Sequence, residues 1–135
     1  MLRPVHFEIH ATDPEALKTF YQSVFGWAFQ QYEDNPYWLV TTDETSDSDE
    51  PSSAPGINGG LMPRQGPPPQ DDAPVNGWVV TIDVPNVSEY IKKIVDAGGS
   101  VALETMTMPG MGYVAYMKDP DRNIFGLYQD DPTAA

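Results

Sequence analysis

The sequence predicts an α+β fold built from two tandem copies of one strand–helix–strands unit, enclosing a pocket for a small molecule. Two observations lead there. The order of elements read from the first half starts again in the second, and a helix cap and a helix stop recur at one common spacing. A proline-rich stretch separates the two copies.

The first copy begins with alternation over residues 5–11. Phe7, Ile9 and Ala11 fall on one face of a strand, and His6, Glu8 and His10 on the other. Thr12-Asp13-Pro14 then starts a helix, with proline in its first turn. Leu17, Phe20, Tyr21 and Val24 recur at helical spacing, and Gly26 stops the run. Strands follow over 27–32 and 37–42, joined by a turn holding Asp34-Asn35-Pro36. After an acidic loop, 43–50, another short strand lies near 57–62.

Residues 64–77 carry Pro67-Pro68-Pro69 and read as a stiff linker. The second copy opens with a strand over 78–84, whose Val80, Ile82 and Val84 face one way. Asn86-Val87-Ser88-Glu89 resembles a capping box. Val87, Tyr90, Ile91, Ile94 and Ala97 form the apolar stripe of the helix that follows, and Gly98-Gly99 ends it. Strands are expected near 101–105, 113–117 and 124–129, with a tight turn at Asp119-Pro120-Asp121. A shift of 73 residues carries Phe7, Ile9 and Ala11 onto Val80, Ile82 and Val84, Asp13 onto Asn86, and Gly26 onto Gly99. Near the ends of the copies, Gly60-Leu61 matches Gly126-Leu127. The chain is thus read as one domain, 1–135, with modules at about 4–63 and 78–130.

Composition narrows the chemistry. With 135 residues, 40% of them hydrophobic, the chain has the material for a packed interior. There is no cysteine, which excludes disulfides, thiolate metal sites and a cysteine nucleophile. The net charge of −13 argues against nucleic acid and anionic membranes as partners. No run is long enough to span a membrane and no signal peptide is visible, so a cytoplasmic location is expected. Nor does the sequence contain a Walker-type loop, a dinucleotide fingerprint or a nucleophile elbow.

The sequence resembles the vicinal oxygen chelate superfamily, which includes glyoxalase I, extradiol dioxygenases and bleomycin-resistance-type binding proteins. Three segments carry the resemblance: His6-Phe7-Glu8-Ile9 followed by Asp13, the helix end from Phe20 to Gly26-Trp27, and the run from Asp119-Pro120-Asp121 to Gly126-Leu127. It implies two βαβββ modules whose curved sheets form a cleft. It also implies a homodimer, with clefts completed across the interface. Enzymes of the family hold a divalent metal there, through one residue on the first strand and one on the last strand of each module. His6 fills the first of those four positions; Val79, Gly60 and Gly126 stand at the others and offer no ligating side chain. No cofactor is therefore expected; if a divalent metal binds, His6 and Glu8 would hold it, since residues two apart on a strand lie about 6.7 Å apart and can converge on one ion.

Glu8 and His6 are the candidate catalytic residues. A carboxylate on the cleft side of a strand is costly unless paired or solvated, and a desolvated one suits a general base. A structural hydrogen bond explains Glu8 equally well. Gly59, Gly60 and Gly126 are read as a pocket floor that lets a ligand approach the backbone, or as bend glycines of curved strands. Met62, Tyr128, Met111 and Tyr113 are candidate ligand contacts, the last two beside a loop with Met106, Met108 and Pro109-Gly110 that could act as a lid. Trp38 is core filler or an aromatic pocket wall.

Three classes of function follow: a metal-independent binding protein for an apolar or aromatic compound, a lyase, isomerase or dioxygenase relative using His6 and Glu8, and a degenerate module kept for partner interaction. The empty ligand positions favour the first, and the polar trio His6, Glu8 and His10 favours the second.

Overall fold

The computed structural model describes residues 6–43, 55–75 and 79–135. The chain forms two compact units, Met1–Pro67 and Pro68–Ala135. The expected acidic loop lies largely outside the described residues, as does Trp78 at the start of the fifth expected strand.

In the first unit, β1 (Phe7–Ala11) leads into α1 (Pro14–Phe25), followed by β2 (Ala28–Gln31), β3 (Trp38–Thr41) and β4 (Gly59–Pro63). The Asp13 side chain accepts from the Ala16 N–H at 3.1 Å, satisfying one of the free donors at the helix start. Gly26 ends α1 at φ 75°, the left-handed conformation that costs glycine least. The strands pair in the order β1-β4-β3-β2, with β1 and β4 parallel and the rest antiparallel. Leu17, Phe20, Tyr21 and Val24 of α1 are buried, as are Val40 and Leu61 of the sheet. Trp27 extends this core by stacking on Tyr21, ring centroids 5.0 Å apart.

The second unit repeats the pattern. Its elements are β5 (Thr81–Asp83), α2 (Val87–Asp96), β6 (Ser100–Met108), β7 (Gly112–Lys118) and β8 (Ile124–Asp130). They pair in the order β5-β8-β7-β6, again with one parallel pair, β5 with β8. Asn86 caps α2 by accepting from the Glu89 N–H at 2.8 Å. Val87 and Ile94 of α2 are buried, together with Ala115, Met117, Phe125 and Leu127. Two units with one topology are what the duplicated sequence pattern implies.

One expected loop is a strand. Met106 and Met108 belong to β6, which pairs with β7 as far as Met108 opposite Gly112. The Met111 N–H closes the turn onto the Met108 carbonyl at 2.9 Å, and Gly110 sits at φ 71°. Pro109-Gly110 therefore forms the tip of a hairpin, not an irregular loop. Turn chemistry, rather than methionine content, decides the local structure here.

Candidate functional site

Strand register fixes which face each side chain occupies. In the first unit Glu8 lies opposite Gly60 and His10 opposite Met62, while Ile9 pairs with Leu61. Leu61 also pairs with Trp38, and Leu39 with Gly60. Glu8, His10, Gly60, Met62 and Leu39 thus share the open face. Phe7, Ile9, Gly59, Leu61 and Trp38 share the face covered by α1. Trp38 confirms this placement: the Lys18 ammonium of α1 lies over its ring, 4.6 Å from the centroid. Trp38 and Gly59 are therefore turned away from Glu8, and Trp38, half-buried, lies under Lys18 on the side of the helix.

The open face carries a small polar cluster. The His6 Nε2 lies 2.9 Å from the Tyr37 hydroxyl. Burial is the main cause that raises the Tyr37 phenol above its ordinary value of 10.0, and the neighbouring Glu8 carboxylate adds to it by charge and as a hydrogen-bond acceptor. A phenol has one proton to give. If that proton goes to Glu8, the hydroxyl accepts from His6, which fixes Nε2 as the protonated ring nitrogen. Glu8, Tyr37 and His6 then form one hydrogen-bonded chain. Glu8 and His6 are solvent-exposed and Tyr37 is half-buried.

Gly60 is the reason Tyr37 reaches this point. A Cβ placed on Gly60 would stand 1.9 Å from the Tyr37 hydroxyl oxygen and 2.2 Å from the ring carbon that carries it. The phenol occupies the space a side chain at residue 60 would take. Spacing along the sequence does not single out Tyr37, which only opens a strand. The signal was the missing side chain at Gly60, because space above a buried glycine must be filled by a neighbour. The other two glycines are filled in the same sense. A Cβ on Gly59 would lie 2.4 Å from the Phe7 carbonyl oxygen, and one on Gly126 would lie 2.6 Å from the Thr81 hydroxyl. The three glycines support close packing and leave no open floor.

In the second unit Tyr128 lies opposite Asp83 on β5 and Val114 on β7, on the open face with Gly126. Its hydroxyl is shared between the Met111 carbonyl oxygen at 3.0 Å and Asp130 at 3.2 Å. Burial first, then Asp130 and the charge of Asp83, raise the Tyr128 phenol from its ordinary value. Tyr113 pairs with Gln129, on the face of Ala115 and Leu127, so it is not brought to Tyr128 and Gly126. Met111 is exposed at the hairpin tip.

The donor set does not fit the divalent site of the resemblance. In the first unit the last-strand position is a glycine whose space holds a phenol, leaving His6 and Glu8 as donors. In the second, the Gly126 position is covered by Thr81. Among the described residues no three His, Cys, Asp or Glu side chains group together to hold a metal ion.

Comparison with known proteins agrees with this architecture. A family model described as the Glyoxalase/Bleomycin resistance protein/Dioxygenase superfamily matches residues 3–127. The protein named "Putative glyoxylase CFP32" in Mycobacterium bovis is 27% identical over 133 residues, which cover 93% of this chain and 45% of that protein. The chain thus spans about half the length of the curated relatives it matches. Among solved structures, the genomically encoded fosfomycin resistance protein FosX of Listeria monocytogenes superposes with a TM-score of 0.68 at 18% identity, covering 97% of this chain and 93% of its own. A glyoxalase-related enzyme from Fulvimarina pelagi gives 0.66 at 17% identity, covering 100% and 98%. These two likenesses show the fold. With the family model spanning both units, the chain belongs to the Glyoxalase/Bleomycin resistance protein/Dioxygenase superfamily.

Proposed function

We propose that this chain is a small-molecule-binding member of its superfamily that works without a resident metal and takes an apolar or aromatic compound. One observation carries the reading: the Tyr37 hydroxyl stands where a side chain on residue 60 would stand. A phenol hydrogen-bonded to His6 is a positioning group for a polar atom of a ligand, not a divalent-ion cage. The same reading takes the protein as a cytoplasmic homodimer.

The grouping of His6, Tyr37 and Glu8 on one face favours a second reading, a lyase or isomerase in which Glu8 takes a proton from substrate. The two separate in one experiment. Chelator-treated protein is screened by intrinsic fluorescence against apolar aromatic compounds, then rescreened after divalent ions are added back. Binding that is unchanged by the ions, and weakened in His6→Ala and Glu8→Gln, supports the binding protein. Binding that appears only with added ion overturns it. A bound compound that is turned over by wild type, and bound but left intact by Glu8→Gln, supports the enzyme.

A further inference from the structure

Part of the proline-rich segment is tied to the second unit. The Arg122 Nε pairs with the Asp71 carboxylate at 2.9 Å, and its Nη1 donates to the Pro69 carbonyl oxygen at 2.7 Å. The Lys118 ammonium donates to the Asp71 carbonyl oxygen. These bonds strap residues 69–71 across the open face of the second sheet. Between strap and sheet lies a groove of about 420 Å³, within the range of small-molecule sites. Residues 71–75 form one wall, and Ala102, Leu103, Tyr116, Lys118 and Ile124 the other. The register shift in β6 between Val101 and Leu103 lets Ala102 join Leu103 in the lining.

Arg122 is placed for this task at a cost. It adopts φ 64°, a left-handed conformation that favours glycine. Buried Asp119 holds the turn, accepting from the Asp121 and Asn123 N–H groups at 2.8 and 3.0 Å and from the Asn123 side chain at 2.9 Å. The backbone asks for glycine and the position carries a guanidinium that reaches the strap.

We propose that this groove binds a flat apolar compound bearing a carboxylate or similar anionic acceptor, with Lys118 and Tyr116 as its polar anchors. The walls are mainly apolar: Leu103, Ile124, Ala102, Pro74 and Val75. The Lys118 ammonium has three protons and, among the described residues, its one acceptor is the Asp71 carbonyl oxygen, which leaves two for a ligand. Among the described residues the Tyr116 hydroxyl has no hydrogen-bond partner. Of the two acids in the lining, Asp71 is answered by Arg122 and Asp72 lies exposed. The overall charge of −13 acts weakly here, because surface charge is screened beyond a Debye length of about 8 Å.

This rests on the reading of the chain as a small-molecule-binding protein, and names the class its second unit takes. The test uses the full chain and two fluorescent probes, anionic 8-anilinonaphthalene-1-sulfonate and neutral N-phenyl-1-naphthylamine. Both are expected to bind saturably. Leu103→Asn, on an exposed position, should weaken both by about tenfold, equal to ~1.4 kcal/mol. Lys118→Gln, which keeps a donor for the strap, should weaken the sulfonate alone. Failure of wild type to bind either probe, wild-type binding in Leu103→Asn, or an equal loss of both probes in Lys118→Gln overturns the proposal. Metal content decides the metal-free reading separately, so the two fail independently.

Discussion

Gly60→Ala probes the cluster on the first sheet directly. The new methyl would lie 1.9 Å from the Tyr37 hydroxyl oxygen and 2.2 Å from the ring carbon beside it. Ordinary contact needs about 3.5 Å, so the ring end must retreat by more than 1 Å. The contacting atoms are the tip of a half-buried side chain, so the ring can swing away and the backbone stays. What is lost is the 2.9 Å bond to His6 and the interaction with Glu8. At about 0.5–1.5 kcal/mol for each of the two interactions, the cost is ~1–3 kcal/mol. In a Tyr37→Ala background no ring stands in the way. There the strand gains about 0.5–1 kcal/mol from replacing glycine. Urea unfolding of wild type, both single variants and the double variant should therefore give a coupling of roughly 2 kcal/mol. Additivity within ~0.5 kcal/mol would mean that Tyr37 does not occupy the space above Gly60, and the account of the site would fail.

Other expectations follow from the same contacts. The Tyr37 phenol is raised, so its protonated form is the one the fold prefers; stability is fully present below pH 10.0, the ordinary value, and is lost as pH rises through the folded value. Glu8→Gln removes the carboxylate charge and should lower the alkaline midpoint of Tyr37 in a difference-absorbance titration; an unchanged or higher midpoint would contradict the Glu8 contact. Asp119→Ala strips the acceptor from two backbone N–H groups in a tight turn, and should cost about 2–4 kcal/mol in chemical denaturation. Arg122→Gly relieves a left-handed residue worth roughly 1–2 kcal/mol but frees the strap. Thermal stability should hold or rise while limited proteolysis within residues 64–75 accelerates, and protection equal to wild type would refute the strap.

Much of the fold was legible because its signals are local and repeated. Asp13 and Asn86 announce helix starts by their short polar side chains, and each accepts the expected backbone N–H. Alternation put Glu8 and His10 on the face opposite Ile9, and the register agrees. The site was less legible, because it depends on what lies across a strand rather than along it. Composition left Trp38 as core filler or pocket wall, and only its pairing with Leu61 sets it on the face of α1. Tyr113 shared a short stretch with Met111 but faces away from Tyr128 by strand parity. The role of Tyr37 follows from an empty volume at Gly60, which no spacing rule reports. The strap was invisible for a similar reason: its anchor Arg122 lies 51 residues beyond Asp71.

The most direct test of the central claim is metal content per protomer, by elemental mass spectrometry on untagged protein purified without chelator and then offered zinc, manganese, nickel and cobalt. The account predicts far less than one ion per chain under both conditions. Near-stoichiometric metal that disappears in His6→Ala would contradict it, and would show that His6 and Glu8 hold an ion despite the phenol above Gly60.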